Sequence, residues 1–224
     1  MRLSESDRVA VAAAVTAAEL RTDGEIVTIV APESDAYHDV ALHWAVLAML
    51  LVLALLAAWP RAAEAAYAAI GGDAWTAAPP VGALFTVALV LVIIAFLLVR
   101  ALLSVVRLRL ALTPRTTKAR RVRRRAVLLF RASAEQRTRA STGVLLYLSI
   151  AERRAEIVAD AGIHSRVDSA VWGDAMIALI GAVRDGRPGD GMADAVTRIG
   201  VVLAEHFPRS ADDTNELPDR VIEL

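Results

Sequence analysis

The sequence predicts an α/β domain, a small sheet covered by helices, with a two-helix transmembrane hairpin inserted in it. Three observations carry this. Two stretches, 41–59 and 81–99, are apolar for 19 residues each. Short runs rich in β-branched residues lie on both sides of that pair, at 25–30, 143–150 and 155–159. Amphipathic helical patterns flank those runs, so strands and helices alternate along the chain.

The average composition hides how the residues are distributed. The 224 residues carry 25 basic and 25 acidic side chains, a formal net charge of zero. Hydrophobic residues make up 56% but aromatics only 5%, and the mean hydropathy is +0.49, high for an ordinary soluble domain. There is no cysteine, which excludes disulfides, thiolate metal sites and cysteine nucleophiles.

The chain opens with LSESDR. Ser4 or Ser6 can cap a helix and Asp7 falls in its first turn. An alanine-rich helix then runs to about Arg21, and Gly24 follows its end. Glu25–Val30, EIVTIV, reads as a strand that Pro32 ends.

The first apolar stretch holds one ionisable residue, His43, and the second none. Each can cross a hydrocarbon layer of roughly 30 Å, and neither has a polar face that a soluble core helix would show. The first starts too late, and lacks the basic lead, to be a signal peptide. The joining loop from Pro60 to Pro80 has one basic residue, Arg61. After the second stretch, no acid occurs between Arg100 and Ala134, whereas ten basic residues fall between Arg100 and Arg125. The positive-inside bias therefore puts the following segment in the cytoplasm, and the N-terminus with it. A two-pass protein of the cell (inner) membrane is expected, both termini cytoplasmic. Trp44, Trp59 and Trp75 suit the interfaces, and His43 an interfacial position rather than proton transfer. Residues 101–112 read as a continuation of the second helix into the interface. Two spans with no internal charge pair are a poor basis for a transporter.

Lys118–Arg131, KARRVRRRAVLLFR, could suggest nucleic acid, but its spacing argues against it. Val122, Ala126, Leu129, Phe130 and Ser133 share one helical face and the arginines take the rest. Arg120, Arg121, Arg123, Arg124 and Arg125 therefore read as a topology signal in contact with anionic lipid headgroups, each worth on the order of 1 kcal/mol near the surface. The expected partners are the lipid bilayer and other membrane proteins, not nucleic acid.

Gly143–Ile150 and Ala155–Ala159 read as two strands joined by the short turn AERR, a hairpin. Asp168 precedes a helix on which Trp172, Met176, Leu179, Ile180 and Val183 recur, and Gly186 stops it. Met192–Phe207 is a last amphipathic helix, with Val196, Ile199, Leu203 and Phe207 inward. From Pro208 the chain is polar, and Asp212, Asp213, Glu216 and Asp219 mark a flexible acidic tail. The organisation is then 1–39 and 113–207 as two parts of one domain, 40–112 as the membrane hairpin, and 208–224 as the tail.

No GxSxG, Walker A, HExxH or dinucleotide-binding fingerprint is present. The one stretch that raises a chemical question is AEIVADAGIH, Ala155–His164. Asp160 and His164 are either a metal-binding or acid–base pair, or a strand-end aspartate accepting backbone hydrogen bonds beside an exposed histidine. Asp168 has the position of a helix N-cap, and Asp174, Asp190 and Asp194 lie near helix starts, where a carboxylate is favoured without any ligand.

Thr142–Ile163, TGVLLYLSIAERRAEIVADAGI, resembles the central segment of the TPM-domain family, and Asp23–Ser34, DGEIVTIVAPES, resembles that family's first strand. The resemblance spans 3–35 and 115–207. It implies a helix-covered sheet. For function it implies one of several roles: acid phosphatase, calcium-binding module, or accessory to an ion-channel receptor. Many members carry Gly-x-Gly-x-Glu after the second hairpin strand. Here those positions are Asp160, Ala161, Gly162, Ile163 and His164, so the glutamate's role does not carry over. Calcium needs several hard oxygen ligands. Asp160 could supply one, Asp168 and Asp174 are near in sequence, and His164 is a poor ligand. The expectation is a non-catalytic binding or assembly module with weak calcium binding, and metal-dependent acid phosphatase is the alternative.

Overall fold

A computed structural model describes residues 3–71, 79–133, 142–211, 217 and 219–224. In chain order the elements are α1 (Glu5–Glu19), β1 (Glu25–Ala31), α2 (His38–Ala58), α3 (Pro60–Ala69), α4 (Val81–Leu102), α5 (Val106–Ala111), α6 (Arg115–Ser133), β2 (Gly143–Ser149), β3 (Arg154–Ala159), α7 (Ala161–His164), a 3-10 turn (Ser169–Trp172), α8 (Gly173–Arg184), α9 (Pro188–His206) and β4 (Ile222–Glu223). They group into two compact units, Met1–Ala36 with Arg115–Leu224, and Tyr37–Pro114.

The first unit is built on a four-stranded sheet of order β3-β2-β1-β4. β1 and β2 pair in parallel from Glu25↔Gly143 to Ala31↔Ser149, and β2 pairs antiparallel with β3. Every residue of β1 and β2 is buried, because both faces of these inner strands are covered. The side-chain period of two divides them between two cores. Ile26, Val30, Val144, Leu146 and Leu148 face Val11, Val15 and Ala18 of α1, Leu179 of α8 and Met192, Ile199 and Leu203 of α9. Val27, Ile29, Leu145 and Tyr147 face Val122, Ala126 and Phe130 of α6. The layers are thus three helices, the sheet, and one helix.

The expected start of α1 is observed as a capping box. The Asp7 amide donates to Ser4 Oγ at 3.0 Å, and the Ser4 amide to the Asp7 carboxylate at 2.9 Å. α1 ends at Glu19, two residues short of the sequence reading. α1 and α9 approach closely through small residues. A Cβ added to Gly200 would lie 2.5 Å from Ala18 Cβ, whereas one added to Gly181 of α8 meets nothing within 4 Å. Gly200→Ala should therefore lose about 1–3 kcal/mol to overpacking, outweighing its gain in helix propensity. Gly181→Ala should gain about 0.5–1 kcal/mol. Denaturant midpoints of the two variants check this; equal shifts would contradict the tight crossing.

Three expectations need correction. Residues near the C-terminus, expected as flexible tail, return to the sheet. Ile222 and Glu223 pair in parallel with Ile29 and Val30, the Leu224 amide donates to the Val30 carbonyl at 3.1 Å, and Leu217 is buried in the α6-side core. The edge of β1 offers unpaired backbone groups, and this short strand satisfies them. Asp212, Asp213 and Glu216 lie outside the described residues, as does Trp75. Residues 101–112 do not continue α4 unbroken: α4 stops at Leu102 and α5 begins at Val106. The single helix expected after Asp168 is a 3-10 turn followed by α8. Two short helices, α3 and α7, were not anticipated; Pro60 at the first position of α3 suits a helix start.

The second unit holds two helices long and apolar enough to cross a membrane, α2 and α4, packed on one another. Only 17% and 11% of their most apolar stretches are buried. Leu47, Leu50, Leu51 and Leu53 on α2, and Phe85, Leu89, Ile93 and Leu97 on α4, are exposed. A core helix of a soluble domain would bury such residues.

Candidate functional site

The end of β3 was the place to look for chemistry, and its aspartate is occupied by the fold. Asp160 is buried. Its carboxylate accepts the Gly143 amide at 3.1 Å, and its own amide donates to the Gly143 carbonyl at 2.9 Å. The side chain thus continues the β2–β3 ladder by one rung, where Gly143 enters its strand. His164 ends α7 and is exposed, with its amide donating to the Asp160 carbonyl at 3.0 Å. Asp168 accepts the Ala170 amide at 2.9 Å and caps the 3-10 turn. Asp174 is exposed in the first turn of α8. Among the described residues no group of three or more His, Asp or Glu side chains is placed to hold a metal. Asp160, Asp168 and Asp174 therefore form no such group. Asp194 pairs with Arg198 at 2.9 Å one turn on, and Asp190 lies in the first turn of α9.

The basic helix has the expected apolar face: Val122, Ala126 and Phe130 are buried against the sheet and Leu129 packs beside them. Two of its arginines form ion pairs within the unit. Arg121 pairs with Asp35 at 3.0 Å, and Arg123 with Glu156 of β3 at 3.2 Å. Arg120, Arg124 and Arg125 are exposed. The sheet takes the apolar face of this helix, and a solvent-facing basic row remains.

One unusual group was missed in the sequence. Glu19 is buried at the end of α1, and one of its carboxylate oxygens accepts the Ile26 amide at 2.9 Å. Burial pushes its pKa up to about 8, with the nearby charges of Glu25 and Asp219 adding to the rise and the Ile26 hydrogen bond opposing it. Glu25 in turn accepts the Leu217 amide at 3.1 Å, and Asp219 accepts the Thr16 hydroxyl. These carboxylates fasten the chain's C-terminal segment to the α1–β1 junction. A signal existed: Glu19 follows Val11 and Val15 at intervals of four, on the buried face.

In the apolar unit, His43 Nδ1 donates to the Asp39 carbonyl within the first turns of α2. This bond keeps the ring near the helix start.

Comparison with known proteins bears on the fold. The TPM domain model matches residues 104–202, from just before α5 to within α9. No curated protein matches the chain. Among solved structures, the NMR structure of the BA42 protein from the psychrophilic bacterium Bizionia argentinensis is similar in fold. The alignment covers 100% of this chain and 97% of that one, at 17% identity and a TM-score of 0.56. The fold is therefore shared with that protein.

Proposed function

We propose that the chain is a TPM-domain protein anchored in the cell membrane by α2 and α4, with residues 1–36 and 115–224 forming one TPM-like module on the cytoplasmic side. The module serves as a non-catalytic binding or assembly partner for other membrane proteins. The observation that carries the anchoring is the exposed apolar surface of α2 and α4, followed in the chain by a segment with basic residues and no acids. Water would charge heavily for that surface, at about 25 cal/mol per Å2, and a bilayer would not. The exposed Arg120, Arg124 and Arg125 suit anionic headgroups on the cytoplasmic leaflet.

The accessory role is supported by what Asp160, Asp168 and His164 do. The first two serve backbone amides and the third faces solvent, so these three side chains are not gathered into one group.

Alkaline carbonate washing of membranes and reporters fused to the C-terminus test the anchoring. The chain should stay in the membrane pellet, and a reporter that works only in the cytoplasm should be active. Release by carbonate, or activity of a periplasm-specific reporter, would overturn it. Phosphomonoester hydrolysis by the purified chain that disappears in Asp160→Ala would overturn the accessory role.

A further inference from the structure

The first unit has a cleft at the opposite end of the β2–β3 hairpin from Asp160. It has a volume of about 770 Å3 and is lined by residues of three separate segments. Arg115 and Lys118 come from the start of α6, Glu152, Arg153 and Arg154 from the hairpin turn and start of β3, and Met176, Ile177, Ile180 and Arg184 from α8. Five cations thus meet one carboxylate. That carboxylate is engaged: Glu152 accepts the Ser34 amide at 2.8 Å and the Ser149 hydroxyl. Arg115, Arg153 and Arg184 are exposed and form no ion pair with any described residue. Arg154 spans the cleft wall and donates to the Arg115 carbonyl at 3.3 Å. The α8 side is apolar, with Ile177 73% exposed.

The turn adds a second argument. Arg153 has φ +50°, in the left-handed region. At such a hairpin position glycine or asparagine adopts this conformation with least strain. An arginine there accepts strain and projects a guanidinium at the cleft. Strain of this kind persists where the surroundings fix it, and it clusters at ligand-binding positions.

We infer that this cleft binds an amphiphile with a phosphoryl head, the head held by Arg115, Arg153, Arg154 and Arg184, and the apolar part lying on Met176, Ile177 and Ile180. Several cations converging on one place match a group that carries more than one negative charge, and guanidinium forks match phosphoryl oxygens in pairs. The cleft's volume is in the range of small-molecule sites. A phospholipid and a soluble organic phosphate offer the same head chemistry. The inference does not rest on the membrane anchoring, because the cleft belongs wholly to the first unit.

The test uses the full chain in a neutral detergent, with three probes: dihexanoyl phosphatidic acid, dihexanoyl phosphatidylcholine and glycerol phosphate. Calorimetry should show the phosphatidic acid binding and the phosphatidylcholine binding far more weakly. Glycerol phosphate, which lacks the apolar part, should bind more weakly than phosphatidic acid; equal binding would overturn the apolar half of the site. Arg153→Gly relieves the turn strain, so this variant should be at least as stable as the parent, yet bind about tenfold more weakly, as loss of one charged hydrogen-bonding group predicts. Arg184→Glu should weaken binding further, and Arg198→Gln on the exposed side of α9, outside the cleft lining, should leave it unchanged. No binding of either phosphate probe would overturn the inference. So would equal binding of phosphatidylcholine, or loss in Arg198→Gln with none in Arg153→Gly.

Discussion

Glu19→Gln should remove a slope from the pH dependence of stability between about pH 4.5 and about 8. The sign follows from where the proton sits. In the unfolded chain this carboxyl titrates near 4.5; in the folded chain burial moves it to about 8. Between those values the folded state holds a proton that the unfolded state has released. Stability therefore declines as pH rises through that window and is level on either side. The amplitude is on the order of 3 kcal/mol, taken below the full shift because solvent reaches the rim of the site. Glutamine keeps the acceptor for the Ile26 amide and cannot ionise. Near pH 4 the variant and parent should be close in stability, and at pH 8.5 the variant should be the more stable by most of that amplitude. Urea titrations at four or five pH values measure it. Parallel curves for parent and variant would show that Glu19 ionises as it does in the unfolded chain.

The same residue explains what could be read from sequence and what could not. Local signals were legible. The capping box at Ser4 and Asp7, the apolar face Val122, Ala126, Phe130, the β2–β3 hairpin and the Asp168 cap each depend on residues within one or two turns of each other. Pairings across long separations were not. Nothing local indicates that Glu25 aligns with Gly143, or that Ile222 lies beside Ile29. The C-terminal segment reads as disordered because its composition is polar, yet it is held by an amide on Glu25, a hydroxyl on Asp219 and one buried leucine. Asp160 had a chemical and a structural reading of equal form in sequence, and only the position of the Gly143 amide separates them. The cleft was invisible for a related reason: its cations come from segments that no sequence window spans, and in the basic run Arg115 and Lys118 look like their neighbours Arg120 and Arg121.

Replacing residues 37–114 by a Gly/Ser linker of about eight residues should convert the protein into a water-soluble folded unit. The residues of both cores of the sheet come from the first unit. The two ends left behind already converge. The Ser34 amide is on Glu152, the Arg115 carbonyl is on Arg154, and those two partners are two residues apart in one turn. Asp35 is also paired with Arg121, two turns into α6. The gap is then about 20 Å or less, and eight extended residues reach about 26 Å. Closing a loop of that length costs little, since the cost rises only with the logarithm of length. The excised chain should remain in solution after lysis without detergent. It should unfold cooperatively in urea, and show the dispersed amide spectrum of a folded sheet. Its midpoint should respond to Glu19→Gln with the same pH slope as the full chain, because Glu25 and Asp219 stay beside that carboxyl. A chain that aggregates or shows no cooperative transition would mean that the apolar unit is needed for the sheet to fold. A soluble, cooperative product would assign the sheet, the cleft and the buried carboxylates to one self-sufficient module, into whose β1–α6 connection the apolar helices are inserted.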